Sequence, residues 1–141
     1  MTVADDPDMH GVDVVQDVTA LQCSEVRRRI LAAAAQAGLS DDQAWRFTLA
    51  VNEVVINAVT HGGGRVTVAI QVGGSSVVVE VQDSGPGVPS AVAGELPPSD
   101  AVGGRGIWLA REFCDDLTFH NRDTGALVRL VAVARLSAEA S

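Results

Sequence analysis

Two β-branched runs, RVTVAIQV (65–72) and SVVVEVQD (76–83), stand on either side of a GGS turn. A short glycine-bearing turn between two such runs reverses the chain and forces an antiparallel hairpin. A second hairpin is expected downstream, where LTFHNRD (117–123) and ALVRLVAVARL (126–136) meet around DTG. Ahead of the hairpins lie two helical stretches with no strand between them. ALQCSEVRRRILAAAAQAG (20–38) is rich in helix formers and stops at Gly38, a C-cap residue. LSDDQAWRFTLAVNEVVINAVTHG (39–62) opens with Ser40 and Gln43 at capping-box spacing. With GVDVVQDVT (11–19) as a first strand, the order is β, α, α, β, β, loop, α, β, β. Strands and helices do not alternate, which argues against a doubly wound sheet. The expected fold class is α+β: a two-layer sandwich whose mixed, mostly antiparallel sheet is covered on one face by helices.

The 141 residues suffice for one domain with a real core. We expect an N-terminal tail over 1–10, a single domain over 11–136 and a C-terminal tail over 137–141. The opening MTVADDPDMHG lacks the basic and apolar regions of a signal peptide, and no apolar run approaches a membrane span of about 20 residues. Cys23 and Cys114 lie far apart in expected helices and read as free thiols in a reducing cytoplasm. The net charge is −8, and all ten basic residues are arginine. An acidic chain without a basic stripe is a poor match for direct nucleic-acid binding. Without lysine it also has no Walker A loop.

Within the second helix, AVNEVVINAVTHGGG (50–64) is mostly apolar yet carries polar groups at regular spacing. Phe47, Val51, Val54 and Ala58 share one face, and Glu53, Asn57 and His61 form an i, i+4, i+8 stripe along its border. By itself such a stripe is more often a solvated flank than a cleft. In SVVVEVQDSGPG, Asp83 has the parity of Val77, Val79 and Val81, so its carboxylate is directed to the apolar side at a strand end. It can accept a hydrogen bond from a ligand amino group, or open a turn through its own backbone. Gly85 and Gly87 follow and allow close backbone approach. Residues 84–102 hold four of the five prolines and read as a long loop, with 88–102 as a lid. GGRGIWLAREFCDDL (103–117) then runs from a glycine-rich turn into a helix, where free amides and the helix dipole suit a phosphate. Arg105 adds a charge there.

Taken together these motifs resemble the histidine kinase-like ATPase (GHKL) superfamily over residues 11–136. NEVVINAVTHG is similar to its N box, VQDSGPGVP to its G1 box and GGRGIWLA to its G2 box. The small size and GRGIWLAREFCDDLTF resemble the anti-sigma-factor serine kinase branch. The resemblance implies a Bergerat ATP-binding fold with ATP or ADP and Mg²⁺ as ligands. It implies Glu53 as general base, Asn57 as the Mg²⁺ ligand and Asp83 as acceptor from the adenine amino group. Gly85 and Gly87 would pass beside the base, and Gly104 and Gly106 would give amides to the phosphates beside Arg105. His61 would lie near the phosphates or cap the helix end, the second being favoured. Trp108, on the wheel with Arg111, Glu112 and Asp115, is either a partner contact or packed beneath the lid or against a neighbouring element.

The implied activity is that of an ATP-binding anti-sigma factor with serine/threonine protein kinase activity. It would phosphorylate an anti-anti-sigma-type antagonist and sequester a sigma factor, as a cytoplasmic homodimer with no membrane or nucleic-acid contact. The alternative is a non-catalytic, nucleotide-dependent binding module of the same fold. A histidine autokinase would need a separate dimerisation domain with its own phosphorylated histidine, and a gyrase- or Hsp90-like machine would need further transducing domains.

Overall fold

The computed structural model describes residues 10–61, 65–84, 110–122 and 125–135; the side chains of His10, Gly11, His61, Asn121 and Arg122 are outside that description. Residues 1–9 and 137–141 of the expected tails, the lid over 88–102, the glycines of both turns, Arg105 and Trp108 lie outside the described residues; His10, expected in the N-terminal tail, instead opens the first strand. Five strands form one sheet: β1 (His10–Val15), β2 (Val66–Gly73), β3 (Ser76–Asp83), β4 (Asp116–Arg122) and β5 (Gly125–Val133). Their order is β1-β2-β3-β5-β4. Every pairing between described strands is antiparallel, where a mixed sheet had been admitted. Two helices, α1 (Cys23–Ala37) and α2 (Asp41–His61), lie against the sheet, α1 over β2 and β3 and α2 over β2, β3 and β5. This is the expected α+β sandwich.

The strands alternate as a half-covered sheet should. Val66, Val68 and Ile70 of β2, Val77, Val79 and Val81 of β3, and Val128, Leu130 and Ala132 of β5 are all buried on the helix side. They join Val26, Ile30 and Ala34 of α1 and Phe47, Val51 and Val54 of α2 in one core. Alternation fails at the sheet centre, where Gln71, Val78 and Glu80 on the far face are also buried. Arg129 stands opposite Glu80 in register, with Nε 3.8 Å from its carboxylate, while Gln71 Oε1 is buried without a partner among the described residues.

The local signals set the boundaries. Ser40 and Gln43 form the capping box: the Gln43 amide donates to Ser40 Oγ at 3.1 Å, and the Ser40 amide to Gln43 Oε1 at 3.3 Å. Gly38 ends α1 at φ 89°, and the Leu39 amide closes the cap on the Ala34 carbonyl at 3.0 Å. Arg29 ties α1 to β1 through Asp13 at 2.6 Å and to Glu25 at 2.8 Å. Two boundaries differ from expectation. β1 stops at Val15 because Asp17 takes φ 54°; the chain is then re-anchored by the Val18 amide on the Val66 carbonyl at 2.8 Å. Among the described residues, 110–113 are helical, so Cys114, expected within a helix, lies just past it. Asp116 and Leu117 belong to β4, where Leu117 pairs with Leu130.

Candidate functional site

α2 carries two chemistries on two flanks. Phe47, Val51, Val54 and Ala58 face the core, with Phe47 and Val51 fully buried. Glu53 and Asn57 sit at the border of that face and are half-buried, as their spacing implied. One turn separates them, about 6 Å along the axis. Neither side chain makes a hydrogen bond or ion pair among the described residues. His61 is the last residue of α2; its side chain lies outside the description, so the choice between phosphate contact and cap does not arise from the structure.

The end of β3 comes to the same end of the molecule. α2 finishes at His61, and Arg65 precedes Val66, which pairs with Asp83. Asp83 is half-buried, registers with Val66 on one side and Ala126 on the other, and is not without a partner. Arg65 then clasps Ser84 at both ends: the Ser84 amide donates to the Arg65 carbonyl at 3.1 Å, and the Arg65 amide to Ser84 Oγ at 2.9 Å. From β5, the backbone of Gly125 lies directly against the Asp83 carbonyl at φ 141°. Arg65, Ser84 and Gly125 were not among the expected site residues. Gly125 was read only as hairpin punctuation, and nothing local to its sequence announces a contact with Asp83.

The structure therefore brings Glu53, Asn57 and Asp83 to neighbouring elements. Gly85, Gly87, Gly104, Arg105 and Gly106 lie outside the described residues. The donor set fits Mg²⁺ in one respect. Among the described residues, Asn57 offers a half-buried amide oxygen with no partner, and no cluster of three His, Cys, Asp or Glu exists to form a closed cage. A hard cation that keeps several waters and takes phosphate oxygens needs only such sparse protein ligation.

A separate cleft of about 630 Å³ opens at the other end of α2, lined by Ser40, Gln43, Arg46, Phe113 and Arg135. It contains none of the expected site residues, and its nearest helix residue, Arg46, lies about 16 Å along the axis from Asn57. Cys114 borders it. Its Sγ donates to the Ala110 carbonyl at 3.0 Å, and burial, aided by the charges of Asp115 and Asp116, pushes the thiol up to about 12. Both cysteines are free, as expected, and no described helix is long and apolar enough to cross a membrane.

Comparison with known proteins agrees with this fold. The chain resembles the crystal structure of the RsbU and RsbW domains of Rv1364c from Mycobacterium tuberculosis, with a TM-score of 0.64 and 20% identity. The likeness covers 90% of this chain and 34% of that one, so the chain spans about a third of its length. At that identity the likeness concerns the fold. No curated protein matches significantly. Residues 17–132 match the family model described as the histidine kinase-like ATPase domain. That span runs from the turn after β1 nearly to the end of β5 and includes every residue of the candidate site, which makes the chain a member of the histidine kinase-like ATPase family, within the GHKL superfamily.

Proposed function

We propose that the chain is an ATP- and Mg²⁺-binding anti-sigma factor with serine/threonine protein kinase activity. It transfers the γ-phosphoryl group to an anti-anti-sigma-type antagonist and sequesters a sigma factor, working as a cytoplasmic homodimer. The observation that carries this reading is the pair Glu53 and Asn57. They are half-buried, without a hydrogen bond or ion pair among the described residues, and one turn apart towards the end of α2, whose chain leads on to the strand that pairs with Asp83. The packing of α2 on β3 supports it, because it puts the helix that carries this pair against the strand that ends in Asp83.

In the proposed reaction, Asp83 accepts from the adenine amino group and fixes the base. The glycines Gly85 and Gly87 pass beside it, and Gly104 and Gly106 with Arg105 hold the phosphates. Asn57 would hold Mg²⁺, which when bound would offset the charge of the phosphates. Glu53 takes the proton of the protein hydroxyl as its oxygen attacks the γ-phosphorus. The new O–P bond forms as the bond to the β-phosphate oxygen breaks, and ADP leaves with the electron pair.

The test is calorimetric titration of ATP and ADP with and without Mg²⁺, on wild type, Asp83→Asn and Asn57→Ala. We expect binding to be lost in Asp83→Asn and to lose its Mg²⁺ dependence in Asn57→Ala. Glu53→Ala keeps nucleotide binding and abolishes phosphate transfer to the antagonist. Wild type that binds ATP and transfers no phosphate to any antagonist would leave the non-catalytic binding module. Wild type that binds no nucleotide would defeat both readings.

A further inference from the structure

The corner that ends β3 is held from three strands. Asp83 and Ser84 come from β3 and its continuation, Arg65 leads into β2, and Gly125 opens β5. The Arg65 clasp fixes Ser84 from one side through two hydrogen bonds at 3.1 and 2.9 Å. Gly125 fixes Asp83 from the other. A Cβ placed on Gly125 would overlap the Asp83 carbonyl oxygen, and would stand 2.7 Å from the carbonyl carbon and 2.9 Å from Ser84 Cα. All three are backbone atoms, so no flexible side chain can swing away. Relief requires backbone to move, at Asp83–Ser84 or at the start of β5, and either shift changes how β5 seats the residue that carries the Asp83 carboxylate.

We propose that Gly125 is a positioning residue for nucleotide recognition: its missing side chain lets β5 seat the Asp83–Ser84 corner and so sets where the Asp83 carboxylate meets the base. This rests on the adenine-recognition role given to Asp83 above and extends it to a residue 42 positions later in the chain. Gly125 touches no ligand in this scheme. It acts through Asp83, by steric permission. The chemistry affected is discrimination at the exocyclic position of the purine. A carboxylate acceptor meets the amino group of adenine and repels the carbonyl oxygen of guanine, so its placement governs the preference for ATP over GTP.

Gly74, in the β2–β3 turn, supplies the control. It also has positive φ, 56°, but a Cβ there meets nothing within 4 Å. Alanine at either glycine strains the backbone, whereas only Gly125→Ala collides with the corner. The experiment is titration of ATP and GTP, with Mg²⁺, into wild type, Gly125→Ala and Gly74→Ala, each well below its melting temperature. Gly125→Ala is expected to lose about ten- to a hundredfold in ATP affinity and most of the ATP preference, as an ångström-scale misplacement does. Gly74→Ala is expected to keep both within about twofold, because open-space surface changes seldom reach distant sites. Equal losses in the two variants, or an unchanged Gly125→Ala, would overturn the positioning role and leave the adenylate reading intact. No ATP binding by wild type would overturn that reading, and the positioning role with it. If Gly125→Ala does not fold, Ser84→Ala tests the same corner from the Arg65 side. A severalfold loss of ATP preference there supports the proposal, and wild-type preference opposes it.

Discussion

Glu80 is 4% exposed and has one ion-pair partner among the described residues, Arg129 at 3.8 Å across the β3–β5 ladder. A buried carboxylate that loses its cation is more costly than a pair removed together. Arg129→Leu should therefore destabilise the chain by about 3 kcal/mol, whereas the double variant with Glu80→Leu should recover most of that loss. Urea denaturation of the two variants and wild type measures both; equal losses would mean that the pair does not couple. Cys114 makes a second, pH-dependent case. Its folded thiol is raised from the ordinary 9.0 to about 12, first by burial and then by Asp115 and Asp116. A raised value means that the folded chain keeps a proton that the unfolded chain releases. Its contribution is fully present below about pH 9 and declines as pH rises from there toward 12. The stability difference between wild type and Cys114→Ala should be level from pH 7 to 9 and shrink above it. A difference that stays level to pH 11 would contradict the burial of this thiol.

At the scale of elements, α2 depends on its start as much as on its buried face. Its first turn is closed by the reciprocal Ser40–Gln43 bonds, and Gln43 Nε2 also reaches the Val133 carbonyl of β5 at 3.0 Å. Ser40→Ala opens the cap only and should cost about 1 kcal/mol by thermal or urea melting. Gln43→Ala removes the cap and the strap to β5 and should cost more. Equal costs would mean that the strap adds nothing. These caps and the two hairpins were legible in the sequence because their causes are local: a hydroxyl three residues from an amide, or glycines between β-branched runs. So was the Glu53–Asn57 flank, since helical periodicity alone assigns it a face. What was not legible arose from contacts distant in sequence. Asp116 and Leu117 have helical neighbours upstream, yet Leu117 is drawn into β4 by pairing with Leu130. Asp17 stops β1 through a left-handed φ that its residue type allows but does not announce. The Gly125–Asp83 contact depends on β5 lying beside β3, a register that neither strand's own pattern specifies.

For the molecule as a whole, charge and site make opposing demands on the proposed ligand. The chain carries −8, and ATP is itself a polyanion, so long-range attraction cannot draw the nucleotide in. Affinity must come from short-range contacts at the end of α2 and β3, together with a cation that offsets phosphate charge. Binding to the folded state alone then raises stability by about 2.7 kcal/mol at a ligand concentration of 100 Kd. For a domain of this size that is a rise in Tm of roughly 10 °C. We expect such a shift for wild type with ATP and Mg²⁺, and a much smaller one when Mg²⁺ is chelated. Asn57→Ala should show the small shift under both conditions, because it removes the protein ligand through which the cation acts. The thermal shift separates this from simple charge screening. If Mg²⁺ merely neutralised the acidic surface, it would raise the Tm of wild type and Asn57→Ala equally, with or without ATP. An ATP-dependent, Asn57-dependent shift would instead place the cation between this helix and the phosphates.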